Sequence, residues 1–258
     1  MHYSSILPDV IKVADEASEK VLHIYQSDFR VNYKEDHSPI TAADTAAHDI
    51  ITHGLRRISR DIPILSEEGK DIPWEERKHW RRFWLVDPVD GTKDFTQRTG
   101  EFTVNIAMIE DGEPVMGVVI APALKEAYWG VVGEGAHVRD RTGKVHKIRV
   151  AEPKEIKRVM ASKNHLNPET RAFIDKLGEH ELVQAGSSLK FCRIAEGHAD
   201  IYPRMGPTCE WDTGAAQAVL VAAGGTVQTV DGKPLKYGKQ DVLNPYFIAA
   251  GSWYIPQP

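Results

Sequence analysis

Five carboxylates stand where apolar runs begin or end. Glu67 and Glu68 follow Ile62-Pro63-Ile64-Leu65, Asp87 and Asp90 follow Phe83-Trp84-Leu85-Val86, and Asp212 precedes a long Ala/Val-rich stretch. Singly, each has an ordinary explanation: a solvated loop for Glu67 and Glu68, turn formation for Asp87 and Asp90, a helix N-cap for Asp212. Jointly they point to metal chemistry. Like charges on neighbouring strand ends repel, and burying each costs on the order of several kcal/mol unless a cation compensates. Every candidate donor is an oxygen and no histidine is interleaved, which selects a hard divalent ion such as Mg²⁺ over Zn²⁺. Pro88 stiffens the turn and lacks an N–H, which leaves the Val89 carbonyl as a further ligand. Gly91 permits close backbone approach, so its N–H and that of Thr92 can meet an anionic oxygen.

Two other carboxylate chemistries fail on register. In a calcium-binding EF-hand loop starting at Asp87, the third and twelfth positions would be Val89 and Arg98, where acids are needed. An aspartyl-phosphate phosphatase needs an Asp two residues before the Asp of Asp-Gly-Thr, and here that place is Pro88. The scattered Gly130, Gly133 and Gly135 make no dinucleotide fingerprint, and no GxxxxGK[ST] phosphate loop occurs.

The elements that must position these acids are legible from periodicity. Residues 5–26 place Ile6, Val10, Val13, Ala14, Ala17, Val21 and Ile24 at helical steps. A polar loop over 28–39 follows, and Thr41 caps a second helix running to about residue 59. Residues 62–65 and 83–86 read as short buried strands. Phe102, Val104, Ile106 and Met108 alternate along a third, Asp111-Gly112 signals a hairpin, and 115–120 returns. Residues 126–132 continue the meander, and 139–150 read as a polar hairpin. Beyond about residue 152, strands at 159–161, 182–184 and 199–202 alternate with helices at 168–177, 187–196 and 212–223, the last closed by Gly224-Gly225. The expectation is a mixed-sheet α+β N-terminal half over 1–152 carrying most metal ligands, and an α/β C-terminal half over 153–258 completing the site.

The chain has 258 residues and a formal net charge of −5. Its composition, 41% hydrophobic and 27% charged with a mean hydropathy of −0.38, is that of an ordinary soluble globule. Acidic balance argues against a nucleic-acid polymer as partner, since phosphate binding needs Lys and Arg in excess. The basic run Lys78-His79-Trp80-Arg81-Arg82 reads as a solvated face. No apolar run approaches the about 20 residues of a membrane helix, and the N-terminus lacks the apolar centre of a signal peptide. Cys192 and Cys209 are the two cysteines, without a CxxC pattern, so structural zinc and a disulfide framework are not expected. The expected setting is cytoplasmic, in solution or peripheral at the inner membrane face; oligomeric state is not indicated.

Six segments carry a resemblance: Ser38-Pro39-Ile40-Thr41-Ala42-Ala43-Asp44, Leu65-Ser66-Glu67-Glu68, Trp84-Leu85-Val86-Asp87-Pro88-Val89-Asp90-Gly91-Thr92-Lys93, Gly100-Glu101-Phe102-Thr103-Val104-Asn105-Ile106, Gly186-Ser187-Ser188-Leu189-Lys190-Phe191-Cys192 and Trp211-Asp212-Thr213. With them the chain resembles the lithium-sensitive, magnesium-dependent phosphatases of the inositol monophosphatase superfamily. Within that superfamily it is most similar to the CysQ-type 3'(2'),5'-bisphosphate nucleotidases. The resemblance implies a layered αβαβα sugar-phosphatase-like fold and two Mg²⁺ ions. Glu67, Asp87 and the Val89 carbonyl would hold the first ion, and Asp87, Asp90 and Asp212 the second. Asp44 matches a position engaging a third, weaker ion and the nucleophilic water; its plainer reading is a capping-box acid three residues after Thr41. Thr92 with Glu67 would orient the attacking water. Hydrolysis would be direct and in-line, without a phosphoenzyme. The implied substrate is 3'-phosphoadenosine 5'-phosphate, giving AMP, with the phosphosulfate analogue second and a place in sulfur assimilation. Glu67, Asp90, Gly91, Thr92 and Asp212 would touch the reacting phosphate. Ser187, Lys190 and Arg204 would meet the 5'-phosphate or nearby groups, and His165 would lie by the nucleotide. Thr213-Gly214-Ala215-Ala216 departs from the usual order after the Trp-Asp pair, which bears on substrate preference. An inositol or sugar phosphatase with the same metal site, and a non-catalytic metal or nucleotide sensor, are the competing readings; the presence of both Glu67 and Thr92 disfavours the sensor.

Overall fold

The structure, a computed structural model, describes residues 2–33, 39–69, 72–152, 155, 157–161 and 166–251. Helix α1 (Tyr3–Tyr25) buries Val10, Val13, Ala14, Ala17 and Val21 along one stripe. The stretch expected to be a polar loop instead carries two short antiparallel strands, β1 (Val31–Tyr33) and β2 (Pro39–Thr41). Helix α2 (Ala42–Ile58) begins where Thr41 caps it: Thr41 Oγ1 accepts from Ala43 N at 3.1 Å, and the Asp44 carboxylate accepts from Thr41 N at 2.7 Å. That reciprocal pair is a capping box, which satisfies donors the first turn leaves open.

Next come β3 (Ile64–Ser66), α3 (Trp74–Arg77), β4 (Arg82–Asp90), α4 (Thr92–Thr96), β5 (Thr103–Glu110), β6 (Glu113–Ala121), β7 (Glu126–Val131), β8 (Gly135–Arg139) and β9 (Val145–Ile148). These strands form one seven-stranded sheet in sequence order. The first pair, β3 and β4, is parallel, and every later neighbour is antiparallel. The remaining elements are β10 (Lys157–Ala161), α5 (Pro168–Asp175), β11 (His180–Gln184), α6 (Leu189–Ala195), β12 (Ile201–Arg204), α7 (Glu210–Ala222), β13 (Thr226–Thr229) and β14 (Phe247–Ala250). They supply a five-stranded sheet of order β11-β10-β12-β14-β13. Its β10, β11 and β12 run parallel, as strand–helix alternation demands, but β14 is antiparallel to both its neighbours. The sheet is therefore mixed. The strand that makes it so, β14, is like its neighbour β13 four residues long and flanked by turn residues, too short for periodicity to announce.

Three apolar cores fill the spaces between layers. One packs α1 and α2 on the face of the large sheet that carries Trp84, Val104, Ile106 and Met108. The second lies between the opposite face (Leu85, Ala107, Val119), α6 and α7, and the inner face of the small sheet (Met160, Tyr202, Phe247). The third, Val159, Ile174, Ile201 and Ile248, seats α5 on the outer face of the small sheet. The fold is the layered αβαβα arrangement. The basic run 78–82 is taken up by surface ion pairs: Lys78 with Glu75, Arg81 with Asp111 at 2.8 Å, and Arg82 with Glu110.

Helix α7 lies directly on the large sheet because its Gly-Ala-Ala-rich face meets Gly117 of β6. A Cβ built at Gly117 would sit 2.1 Å from the Ala215 carbonyl oxygen, which no real contact allows. We expect Gly117→Ala to lower unfolding stability by about 1–3 kcal/mol or more, the cost of forcing atoms into a filled core, with an unchanged urea m-value; denaturation in urea measures it.

Candidate active site

The parallel pairing of β3 with β4 aligns Ser66 with Val86, and Glu67 N then donates to Val86 O at 3.1 Å. Two chain segments thus set an acid side by side: Glu67 just after β3 and Asp87 within β4. Asp87 is 1% exposed, and its carboxyl hydrogen-bonds to that of Glu67.

Asp90 joins them through an irregularity. Residues three apart on a regular strand point to opposite faces. Here β4 slips between Asp87, opposite Asn105, and Asp90, opposite Thr103, so three steps on β4 face two on β5. The extra residue is a β-bulge, which re-aims the strand end, and both aspartates come to the same side. Asp212 arrives from α7. It is not the N-cap of that helix: α7 begins two residues earlier than the sequence suggests, Cys209 is the cap, and the Asp212 carboxylate accepts from Cys209 N at 2.8 Å. Asp87, Asp90 and Asp212 each offer a carboxylate oxygen, and all three lie within 4.8 Å of one another. The charge of Glu68 acts on Asp44 and His48 of α2.

Crowding shows in the proton affinities. Burial, followed by the charges of Glu67, Asp90 and Asp212, pushes the Asp87 carboxyl well above the usual carboxylate range. Burial and the Asp90 charge raise Asp212 in the same direction. Asp44, also buried, is raised by burial against the hydrogen bonds from Thr41. Its partners are those of the capping box, Thr41 N and Thr41 Oγ1 at 2.7 and 2.8 Å.

The turn after Asp90 holds the remaining predicted groups. Gly91 has φ +87, a conformation that favours glycine, and a Cβ there would press on Ser187. Gly91 caps α4, so its N–H and that of Thr92 have no acceptor within the helix. Val89 N donates to Asp87 Oδ1 at 3.1 Å, and Thr92 Oγ1 donates to the Val89 carbonyl at 3.3 Å. Beside them lies a cavity of about 260 Å³ lined by Asp90, Gly91, Ser187, Lys190, Arg204 and Asp212 together with the rings of Phe191, Tyr202 and Phe247. Lys190 is buried. Its Nζ donates to Ser187 O at 3.0 Å and lies 5.3 Å from the Tyr202 ring, and burial pulls its pKa down to about 8. Arg204 donates through Nη2 to Pro207 O at 2.9 Å, while its buried Nε has no partner among the described residues. His165 lies outside the described residues.

Ser187 and Ser188 do not cap α6. Ser188 occupies the cap position without a side-chain cap bond, and both hydroxyls turn to Asp90. Behind Asp212, buried Glu210 accepts from Gly238 N at 2.9 Å, Lys239 N at 3.0 Å and Lys239 Nζ at 2.5 Å. Asn244 Nδ2 donates to Cys209 O at 2.8 Å and Thr213 Oγ1 at 3.0 Å. These anchors tie the start of α7 to the 238–244 segment. Glu210 adjoins the Trp-Asp pair in sequence, but nothing in its spacing marks it as buried.

The profile of the inositol monophosphatase family matches residues 3–254. The chain is 47% identical over 245 residues to the 3'(2'),5'-bisphosphate nucleotidase CysQ of Salmonella typhimurium, covering 94% of this chain and 98% of that protein. To the CysQ of Escherichia coli K12 it is 46% identical over 246 residues, with the same coverage. The chain belongs to the inositol monophosphatase family. The crystal structure of CysQ from Bacteroides thetaiotaomicron, a bacterial member of this family, superposes with a TM-score of 0.86 at 39% identity, over 98% of this chain and 99% of that one. An inositol monophosphatase from Anabaena shares the fold, with a TM-score of 0.75 at 23% identity over 98% and 93% of the two chains.

As a phosphatase of this metal-dependent family, the chain carries an acidic cluster whose chemistry suits a hard divalent cation. The donors are carboxylate oxygens, no histidine or thiolate enters the set, and burial, reinforced by the neighbouring negative charges, raises the proton affinity of Asp87 and Asp212 above the ordinary carboxylate range. Asn105 Oδ1, buried beside Asp87, is a further oxygen without a donor among the described residues.

The pH consequence has a definite sign. A carboxyl whose folded pKa lies above its unfolded value binds more protons folded than unfolded, so stability falls as pH rises between the two values. We expect Asp212→Asn, compared with wild type in chelator, to be equally stable near pH 4. Toward pH 8 the variant should become more stable by more than about 1.4 kcal/mol, the equivalent of a single tenfold step in proton affinity. Thermal or urea unfolding at stepped pH reads the difference, and divalent metal should cancel it.

Proposed function

We propose that this chain is a Mg²⁺-dependent 3'(2'),5'-bisphosphate nucleotidase that hydrolyses 3'-phosphoadenosine 5'-phosphate to AMP and phosphate. The phosphosulfate analogue would be a second substrate, and the enzyme would serve sulfur assimilation and nucleotide recycling. The observation that carries this reading is that one cavity joins Asp90 and Asp212 to Lys190 and Arg204. A carboxylate pair and a cation pair lining one cavity suit a ligand with two phosphates: one at the metal-holding acids, the other at the ammonium and guanidinium. Arg204 Nε, buried and without a hydrogen-bond partner among the described residues, is a donor that supports this reading. The names and identities of the CysQ relatives support the same substrate class.

Glu67, Asp87 and the Val89 carbonyl would hold one ion, Asp87, Asp90 and Asp212 a second, and Asp44 would serve a third, weaker one. Bound Mg²⁺ would supply a more acidic water and compensating charge at the leaving oxygen. The chain's own groups do the rest. Glu67 and the Thr92 hydroxyl orient the attacking water in line with the scissile bond. The Gly91 and Thr92 N–H groups meet charge on the phosphoryl oxygens. Lys190, Arg204 and Ser187 hold the 5' end, and the family resemblance adds His165 as a nucleotide contact. Residues 1–152 and 153–258 act as two units that meet at this centre.

Phosphate release from a panel of monoesters tests the reading. We expect turnover of 3'-phosphoadenosine 5'-phosphate with Mg²⁺, none with chelator, and a lower kcat/KM for inositol monophosphate; a tenfold preference for the inositol ester would overturn the nucleotide assignment. Thr92→Ala should lower kcat by two orders of magnitude or more with the fold intact. Arg204→Ala should raise KM for the bisphosphate about 10–100-fold, the worth of a charged hydrogen bond, and leave adenosine 3'-phosphate hydrolysis unchanged.

A further inference from the structure

The Asp90 carboxylate is held by a buried polar set that the acid pattern does not disclose. Asp90 Oδ2 accepts from Ser188 N at 2.8 Å, from Ser188 Oγ at 2.8 Å and from Ser187 Oγ. Ser187 reaches it from a left-handed backbone, φ +51, which non-glycine residues seldom adopt, and its Oγ also lies 2.7 Å from Thr103 Oγ1. Asn105 Nδ2 donates to Ser188 Oγ at 2.8 Å. With one lone pair of Ser188 Oγ so occupied, its single proton is shared between Asp90 Oδ2 and the Asp212 carbonyl oxygen, at 2.8 and 2.9 Å. Thr103, Asn105 and Ser188 are each 2% exposed or less.

The geometry points to Ser188 as a positioning residue that clamps Asp90, at the end of β4, to Asp212, on α7, with Asn105 fixing the orientation of its hydroxyl. The inference rests on the reading of both aspartates as holders of a divalent ion. The two acids come from separate elements, and Ser188 is hydrogen-bonded to both residues. Three donors on Oδ2 fix the rotation of the carboxylate, and Oδ1 has no hydrogen bond among the described residues. A clamp of this kind matters most for a small ion. Mg²⁺ demands oxygens at about 2.0–2.1 Å in a strict octahedron, whereas Ca²⁺ accepts about 2.3–2.6 Å in flexible shells. The Ser188–Asn105 pair therefore sets ion selectivity: it holds the acids at a spacing that favours the smaller ion.

Calorimetric titration of Mg²⁺ and of Ca²⁺ into the metal-free protein, without substrate, tests this. For Ser188→Ala we expect Mg²⁺ affinity to fall at least tenfold and Ca²⁺ affinity to change less than threefold, so that the selectivity ratio collapses. Asn105→Ala should shift the ratio in the same direction, which keeps the test available if either variant folds poorly. Normal Mg²⁺ uptake by wild type with an unchanged ratio in the folded variants would overturn the clamp alone. Absence of Mg²⁺ uptake by the wild-type chain would overturn both the clamp and the metal-site reading beneath it.

Discussion

Mutual repulsion among Glu67, Asp87, Asp90 and Asp212 is the constraint around which this molecule is built. In a site as dry as that of Asp87, each added negative charge raises the free energy of the folded state, and burial together with the neighbouring charges raises the proton affinity of Asp87 and Asp212. Nothing in the apolar cores asks for such an arrangement. It persists because rigid elements deliver the acids from several directions: a parallel strand pair, a bulged strand end and the first turn of a helix. The surrounding structure holds each in place, with Ser187 and Ser188 on Asp90 and the Glu210, Lys239 and Asn244 contacts behind α7. Carboxylates so confined cannot relax by rotating away, and that makes a compensating cation the low-energy outcome.

Much of this was written in local patterns. Apolar runs leading into acids marked β3 and the first part of β4, Thr41 with Asp44 announced the start of α2, and alternation from Phe102 to Met108 marked β5 and grouped the side chains of one of its faces. The site is less legible where it depends on register. That Asp87 and Asp90 share a side follows from a bulge whose extra residue is visible only against β5. The serines at 187 and 188 carry the composition of a helix cap, yet their hydroxyls serve an aspartate nearly a hundred residues upstream, since tertiary partners outbid the local ones. Thr103 and Asn105 are polar residues on a strand buried on both faces. Their oddness is detectable in sequence, but their partners are not.

The placement of cations divides into two kinds. Arg81 and Arg82 pair with acids of the β5–β6 turn, where solvent screens them and their contribution is small. Lys190 instead sits inside the protein, with carbonyls and a tyrosine ring as neighbours, and proton loss becomes easier for it.

The seat of α7 on Gly117 has a mechanical meaning as well. Where helix meets sheet through bare backbone, their separation is set by main-chain van der Waals radii, not by side chains that can hop between rotamers. Thermal jitter of the surrounding methyl groups is thus poorly transmitted to the helix. Asp212 inherits a stop set by main-chain contact, and an otherwise silent glycine becomes part of how closely the acidic cluster is gathered.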